Sequence, residues 1–331
     1  MLNKIKKVLI KTKIYSLYKK KNGREQFDEA QRVIKDEFSY SLNSVPDSRD
    51  ALYGKIRLRI HGFEKVLVKG DIPKQDGVTT LFPLTERLLN DYIDYPRIGD
   101  AVAETIGVVQ SVIAANKYGG VDCSKLQAEL DGFIKRNGLS EVKPRMITIH
   151  RVEKEEQPIN IATKYDSFVR TRHSIREYTG EIVDEQVIRE IVTTALICPS
   201  ACNRQPCKVY YSPNPEKIRD LFPDKSVTKD VFNLLVVTVN KSFYNVRELF
   251  QPWLDGGIFV ESLIMAIHSR GLGACLFQYV KTNSNYQKLK DRVGIPDNED
   301  ILCCVGFGYL KDEYPIIETH RKDVSEMLVQ Y

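Results

Sequence analysis

The sequence predicts an α+β protein: a mainly helical N-terminal domain, residues 1–157, followed by a mixed domain, residues 158–331. Three observations carry this. Apolar residues recur at helical spacing through much of the first half. In the second half, helical stretches mix with short β-branched runs. Those runs are irregularly spaced, so they do not read as repeated βαβ units. A length of 331 residues suits two domains of ~150 residues each.

From Leu52, the apolar residues Ile56, Ile60, Phe63 and Leu67 define one helix face. A second helix is predicted over Ile98–Ala115, with Val102, Ile106, Val109 and Ile113 on one side. A third runs over Lys125–Arg136 and stops at Gly138. The charged run RVEKEEQP, 151–158, ends in Pro158 and marks the domain boundary. Beyond it, Ile188, Ile191, Val192 and Ala195 form a helix capped by Asp184. KVYYS (208–212) reads as a strand, and NLLVVTVN (233–240) as a strand buried on both faces. An apolar helix over 255–270 ends at Gly271, and GACLF (273–277) is a short strand. Residues 285–292 form a helix stopped by Gly294-Ile295-Pro296, and ILCCVGFGY (301–309) is the last strong strand.

Composition narrows the function. The chain is 42% hydrophobic and 28% charged, which is globular rather than disordered or fibrous. No run approaches ~18 consecutive apolar residues, so no membrane-spanning helix is expected. Net charge is +5, but residues 1–25 hold nine Lys/Arg against Glu25 alone, which leaves −3 on residues 26–331. A nucleic-acid groove needs a basic stripe on the folded body and is therefore disfavoured. Lysines interrupt every apolar run at the N-terminus, unlike a secretory signal, and the expected location is cytoplasmic. Seven cysteines, an odd number in a long chain, imply a reducing compartment rather than a disulfide framework.

Two segments stand out chemically. RTRHSIREY (170–178) places Arg170, Arg172, His173 and Arg176 within seven residues, just before a helical segment. Guanidinium forks and the Ser174 hydroxyl suit a phosphate dianion; a solvated charged face is the alternative. CPSACNRQPCKVYY (198–211) combines small residues with the amides of Asn203 and Gln205. It suits a flat heteroaromatic ring with polar edges, or else it is an Asn/Pro-rich connection. IHSRGLGACLF (267–277) is not a dinucleotide loop. Leu276 holds the third glycine position, and the order is helix–turn–strand rather than strand–turn–helix. The cysteines at 198, 202 and 207 lack metal-ligand spacing, and Cys303 and Cys304 alternate across a strand; no metal is expected.

Taken together, RHSIREY, PSACNRQP, RGLGACLF, VGIPDNEDILCCVGFGY and HRKDV resemble, in order and spacing, the FMN-dependent nitroreductase family from about Tyr165 to Val324. The resemblance implies a nitroreductase-like FMN-binding fold for residues 158–331 and a homodimer with FMN at its interface. It also implies a ping-pong reaction in which NAD(P)H gives hydride to flavin N5 and a small oxidised substrate takes it away. Arg172, His173, Ser174 and Arg176 match the motif that holds the phosphate and ribityl chain. Pro199, Ser200, Ala201, Asn203 and Gln205 match a loop that reaches the partner subunit's flavin. Leu276, Phe277 and Gln278 match a segment near the ring system, and Arg321 matches a C-terminal residue on the phosphate. Lys229 aligns loosely with a lysine at the pyrimidine edge. No side chain need act as acid or base; Asn203, or a backbone N–H in its loop, is the candidate nearest flavin N5 and O4. The sequence departs from the family at Cys207, which leaves more room than the usual bulky residue, and at Thr319, where a basic residue is common. A flavin-free or catalytically silent accessory protein is the alternative.

Two features lie outside this match. RIHGFEKVL (59–67) resembles part of the N-terminal extension of nitroreductase-like proteins associated with bacterial polysaccharide biosynthesis, with Val66 where Gly is usual. Its spacing puts His61 and Lys65 on one helix face beside Glu64, which also suits a plain ion pair. Residues 1–21, within the basic stretch 1–24, read as a basic amphipathic helix with Ile10, Ile14, Leu17 and Tyr18 on one face. Adsorption to anionic lipid at the inner membrane and a solvated, frayed end are its two readings.

Overall fold

The computed structural model describes residues 24, 28, 31–36, 38–150, 161–212, 216–221, 233–279, 285–317 and 321–330. The basic segment other than Arg24, the boundary near residue 158, Lys229 and Thr319 lie outside the described residues.

The N-terminal half is built on α1 (Arg49–Val68), α2 (Leu81–Asp91), α3 (Ile98–Tyr118) and α4 (Ser124–Arg136). Helix α1 starts at Ser48, whose hydroxyl accepts from Ala51 N–H, one of the donors that a first helical turn leaves unpaired. The expected apolar faces meet in one core: Leu52, Ile56 and Ile60 of α1 pack with Val102, Ile106, Val109 and Ile113 of α3 and with Phe133 of α4. Phe82 of α2, a helix that the sequence reading did not include although Leu81, Thr85 and Leu88 recur at helical spacing, stacks on Phe133 at 4.8 Å. Helix α3 is long and apolar enough to cross a membrane, with mean hydropathy 1.4. The count of consecutive apolar residues did not single it out. Yet its buried face is the centre of this core, which accounts for the apolarity without a bilayer.

The C-terminal half contains α5 (Ala162–Thr171), α6 (Glu185–Ala195), β1 (Cys207–Tyr211), β2 (Asn233–Asn240), α7 (Gln251–His268), β3 (Leu272–Gln278), α8 (Tyr286–Val293) and β4 (Glu299–Tyr309). The four strands form one antiparallel sheet in the order β1-β2-β4-β3. All eight residues of β2 are buried, because both sheet faces are covered. Leu234, Val236 and Cys304 pack on one face with Leu289 of α8. Leu235, Val237, Cys303 and Phe307 pack on the other with Ile188 and Ile191 of α6 and Phe259 and Leu263 of α7. Cys303 and Cys304 thus point to opposite faces, as alternation requires. Asp184 caps α6 by accepting from Gln186 N–H, and Gly294 ends α8 at φ +78°.

Two of the boundaries that differ from the sequence reading have a clear physical reason. Helix α7 begins at Gln251, four residues early, with Pro252 in its first turn, where a missing N–H costs nothing. Strand β4 begins at Glu299. That carboxylate is fully buried but accepts from Tyr210 Oη (2.8 Å) and Thr238 Oγ1 (2.7 Å) and pairs with Lys208, so a charge looped by pattern is held inside the sheet.

The two halves share interior. Phe243 and Tyr244, just past β2, lie in the helical core, and a Cβ at Gly54 would come within 2.9 Å of Phe243 Cα. Lys241, 2% exposed, lies 3.1 Å from both Asp36 and Asp300. Asn298 donates to Asp50 at 2.8 Å.

Candidate functional site

The Arg-rich segment follows helix α5 rather than preceding a helix, and it runs extended beside the edge strand β3. Ser174 bridges Ala274 in parallel, and Ile175 N–H donates to Ala274 C=O at 3.0 Å. Ile175 and Tyr178 anchor it in the core; the Tyr178 hydroxyl donates to Ile175 C=O (2.6 Å) and lies 3.0 Å from Gly306 C=O. Close approach of this segment depends on Gly273, where a Cβ would fall 2.7 Å from Leu310 and 2.9 Å from Ile175. With its backbone so held, the spacing of two puts Arg172, Ser174 and Arg176 along one side.

That side faces a cavity of about 900 Å³. Its walls bring together six of the expected residues: Arg172, His173, Ser174, Arg176, Leu276 and Arg321. Arg170, Glu261, His268 and Tyr314 join them. Four arginines therefore face one glutamate. Among the described residues Arg170, Arg172 and Arg321 make no ion pair. An uncompensated cationic wall of this kind attracts a dianion. Glu261, Ile264 and His268 reach the cavity from α7 at i, i+3 and i+7, a helix-face signal that the sequence contained and that pattern reading attributed only to burial. His268 stacks on Phe168 at 4.9 Å, and its Nε2 lies 3.2 Å from Phe168 C=O and 3.0 Å from Thr171 Oγ1. Burial lowers its pKa, and the nearby Arg172 charge lowers it further.

The other expected residues lie elsewhere. Phe277 is 7% exposed and packs in the sheet core; alternation along β3 turns its ring away while Leu276, 42% exposed, lines the cavity. Gln278 ends β3 and does not line the cavity. Pro199, Ser200, Ala201, Asn203 and Gln205 belong to a separate loop between α6 and β1 that does not line this chain's cavity either. Cys202, Asn203 and Gln205 all have positive φ, at 54°, 49° and 51°. Non-glycine residues rarely sit there, and such strain persists only where the surroundings impose it.

The surroundings here are specific. Asp255, 2% exposed, accepts from Ala201 N–H (2.9 Å), the Tyr244 hydroxyl (2.6 Å) and the Gln251 amide (2.7 Å). Ser200 Oγ accepts from Gln205 N–H at 3.0 Å. Arg204 is fully buried against Tyr244, 4.9 Å from its ring, and pairs with Glu248 at 3.0 Å. From the helical half, Arg97 donates to Arg204 C=O and Gln205 C=O at 3.3 and 3.1 Å. Ser200 and Arg204 belong to the motif itself, but Asp255, Tyr244, Gln251, Glu248 and Arg97 were not visible in it, because each acts from a distant part of the chain. The space beside Cys207, Cys198 and Ser200 is only about 10 Å³. Desolvation raises the Cys207 and Cys198 thiols above the ordinary range, so they stay protonated near neutrality. Among the described residues no group of three His, Cys, Asp or Glu is placed to hold a metal ion.

An α+β domain thus carries an arginine-walled cavity along the edge strand of its sheet. The family model for the Nitroreductase family matches residues 169–235 and 233–309, spanning the Arg-rich segment, the strained loop and the whole sheet. Over these residues, less than half of its length, the chain is similar to the nitroreductase family. Among relatives, a protein of Archaeoglobus fulgidus provisionally named NADH dehydrogenase/NAD(P)H nitroreductase is 25% identical over 45% of this chain and 86% of its own length. The 4-nitrobenzoate reductase of Pseudomonas putida is 22% identical over 44% of this chain and 85% of its own. Among solved structures, a nitroreductase with bound FMN from Desulfitobacterium hafniense is 18% identical, covers 50% of this chain and 96% of its own, and has a TM-score of 0.40.

Proposed function

We propose that the protein is an FMN-dependent oxidoreductase that draws electrons from NAD(P)H and delivers them to a small oxidised substrate. The observation that carries this is the convergence of Arg172, Arg176 and Arg321 on one cavity along β3, within a domain similar to the nitroreductase family. The residues present fit the cofactor. Unpaired guanidiniums match a phosphate, and Gly273 keeps β3 open to the approaching segment, a path that a Cβ would fill. When bound, FMN supplies a two-electron carrier that alternates between NAD(P)H and the acceptor. The chain's own work is binding and orientation. Arg172, Arg176 and Arg321 would hold the phosphate, Ser174 and His173 would flank the ribityl chain, and Leu276 would exclude water from one side of the ring.

A homodimer completes this reading. The loop carrying Asn203 lies off its own chain's cavity, which is what a loop serving the partner's flavin would do. Exposed apolar residues support a partner as well: Phe250, Trp253 and Leu254 at the start of α7, Tyr165 on α5, and Met327 and Leu328 near the C-terminus.

Purified protein should be yellow and bleach with NAD(P)H under anaerobic conditions. Charge-assisted contacts are worth about 1.5–3 kcal/mol each, so the Arg172→Ala, Arg176→Ala double variant should bind FMN roughly a hundredfold or more weakly. Stoichiometric flavin in that variant would remove the phosphate assignment. A colourless wild type that refuses added FMN would leave the accessory-protein reading instead.

A further inference from the structure

The motif around His61 lies outside the flavin reading, and the fold gives it a setting. A second cleft, about 580 Å³, opens between α1, α3 and the segment 145–150, with Asn203 at its edge. This volume suits a small organic ligand. The cleft is built rather than incidental. The segment is strapped to α3 by Arg145 N–H to Ala103 C=O at 2.8 Å and by Ile147 N–H to Ser111 Oγ at 2.9 Å. Its charges are sorted. Arg57, its side chain 4% exposed, lies 3.0 Å from Glu104 and 3.5 Å from Glu64, and keeps a buried Nε without a hydrogen-bond partner. His61 Nδ1 lies 3.0 Å from Glu64. Both carboxylates are thus matched within the wall. Lys65 is the exception: it lines the cleft and, among the described residues, makes no ion pair. Beside it the rim is apolar, with Val68, Met146 and Ile149 64%, 46% and 47% exposed.

From this we infer that the cleft is a ligand site for a small organic carboxylate with an apolar body, its acid group on Lys65 and its body along the Val68–Met146–Ile149 rim. An unmatched cation next to exposed apolar surface selects an anion that also has something to bury. A bare inorganic anion would leave the rim wet, and a neutral hydrocarbon would leave Lys65 unanswered. The site is formed mainly by the helical half, distinct from the arginine cavity of the same chain, and meets the flavin reading at Asn203, the residue on the loop that would serve the partner's flavin.

The test is isothermal titration of the full-length protein, with FMN in excess to occupy the arginine cavity, using sodium benzoate and the neutral probe benzyl alcohol. Benzoate should bind saturably, benzyl alcohol at least about tenfold more weakly, and Lys65→Met should weaken benzoate by about tenfold or more. Lys65 is exposed, so that variant should fold normally and its flavin content should equal the wild type's. Absence of saturable benzoate binding, equal binding of benzyl alcohol, or an unchanged affinity in Lys65→Met would each overturn the assignment. The readout is binding, not turnover, so failure of the flavin reading leaves this result interpretable.

Discussion

Replacing Gly107 with Ala sets local propensity against tertiary packing. Gly107 lies in the middle of α3, where Ala should stabilise an isolated helix by about 1 kcal/mol. In the folded protein the added Cβ would lie 2.1 Å from both C and O of Arg145 and 2.6 Å from Met146 N. Ordinary contact begins near 3.4 Å, so the strap would have to retreat by about 1.3 Å. Backbone cannot rotate aside as a side chain can. The Arg145–Ala103 and Ile147–Ser111 hydrogen bonds, at 2.8 and 2.9 Å, would stretch or break. Two such bonds are worth about 1 kcal/mol each, and overpacking adds about 1–3 kcal/mol. Less the propensity gain, Gly107→Ala should destabilise by about 2–4 kcal/mol. Urea unfolding followed by far-ultraviolet circular dichroism measures this as a lower midpoint at similar slope. A midpoint equal to or above the wild type's would refute the claimed closeness of strap and helix.

Two further outcomes follow from buried polar groups. Tyr244→Phe removes one of three donors to the buried Asp255 carboxylate and should cost about 2 kcal/mol in chemical unfolding, typical for a hydrogen bond to a charged group; an unchanged midpoint would mean that Asp255 does not depend on Tyr244. His268 has its pKa lowered by burial, which the hydrogen bond with Phe168 C=O opposes in part and the Arg172 and His173 charges reinforce, so the unfolded chain binds the proton more readily than the native one. Stability should therefore be full above the unfolded value of 6.5 and decline as pH falls below it toward the folded pKa. His268→Gln should flatten that decline in melts taken from pH 7.5 to 5, and an identical slope in both proteins would exclude His268 as its source.

Legibility in the sequence tracks the range of the interaction. The faces of α1 and α3, the doubly buried β2 and the cap at Asp184 were readable, because each depends on residues a few positions apart. The motif alone did not separate Leu276 from Phe277: strand alternation sends Leu276 to the cavity and Phe277 to the core. The start of β4 was missed because Glu299 looks like a loop residue until Lys208, Tyr210 and Thr238 arrive from other strands. Helix α2 carries its own apolar face in Leu81, Phe82 and Leu88, but the partner of that face, Phe133, lies some fifty residues downstream.

By itself the sequence determined the α+β class, the arginine cluster and the order of its motifs, since periodicity and local chemistry survive without a fold. Only the tertiary structure decided which of those residues meet. It drew Arg321 to Arg172 and Arg176, set the Asn203 loop apart from them, and placed that loop between Asp255, Arg97 and the cleft of the helical half. The physical reason is that a buried charge or a strained backbone is tolerated only where distant groups satisfy it, and the chain brings those groups together only by folding.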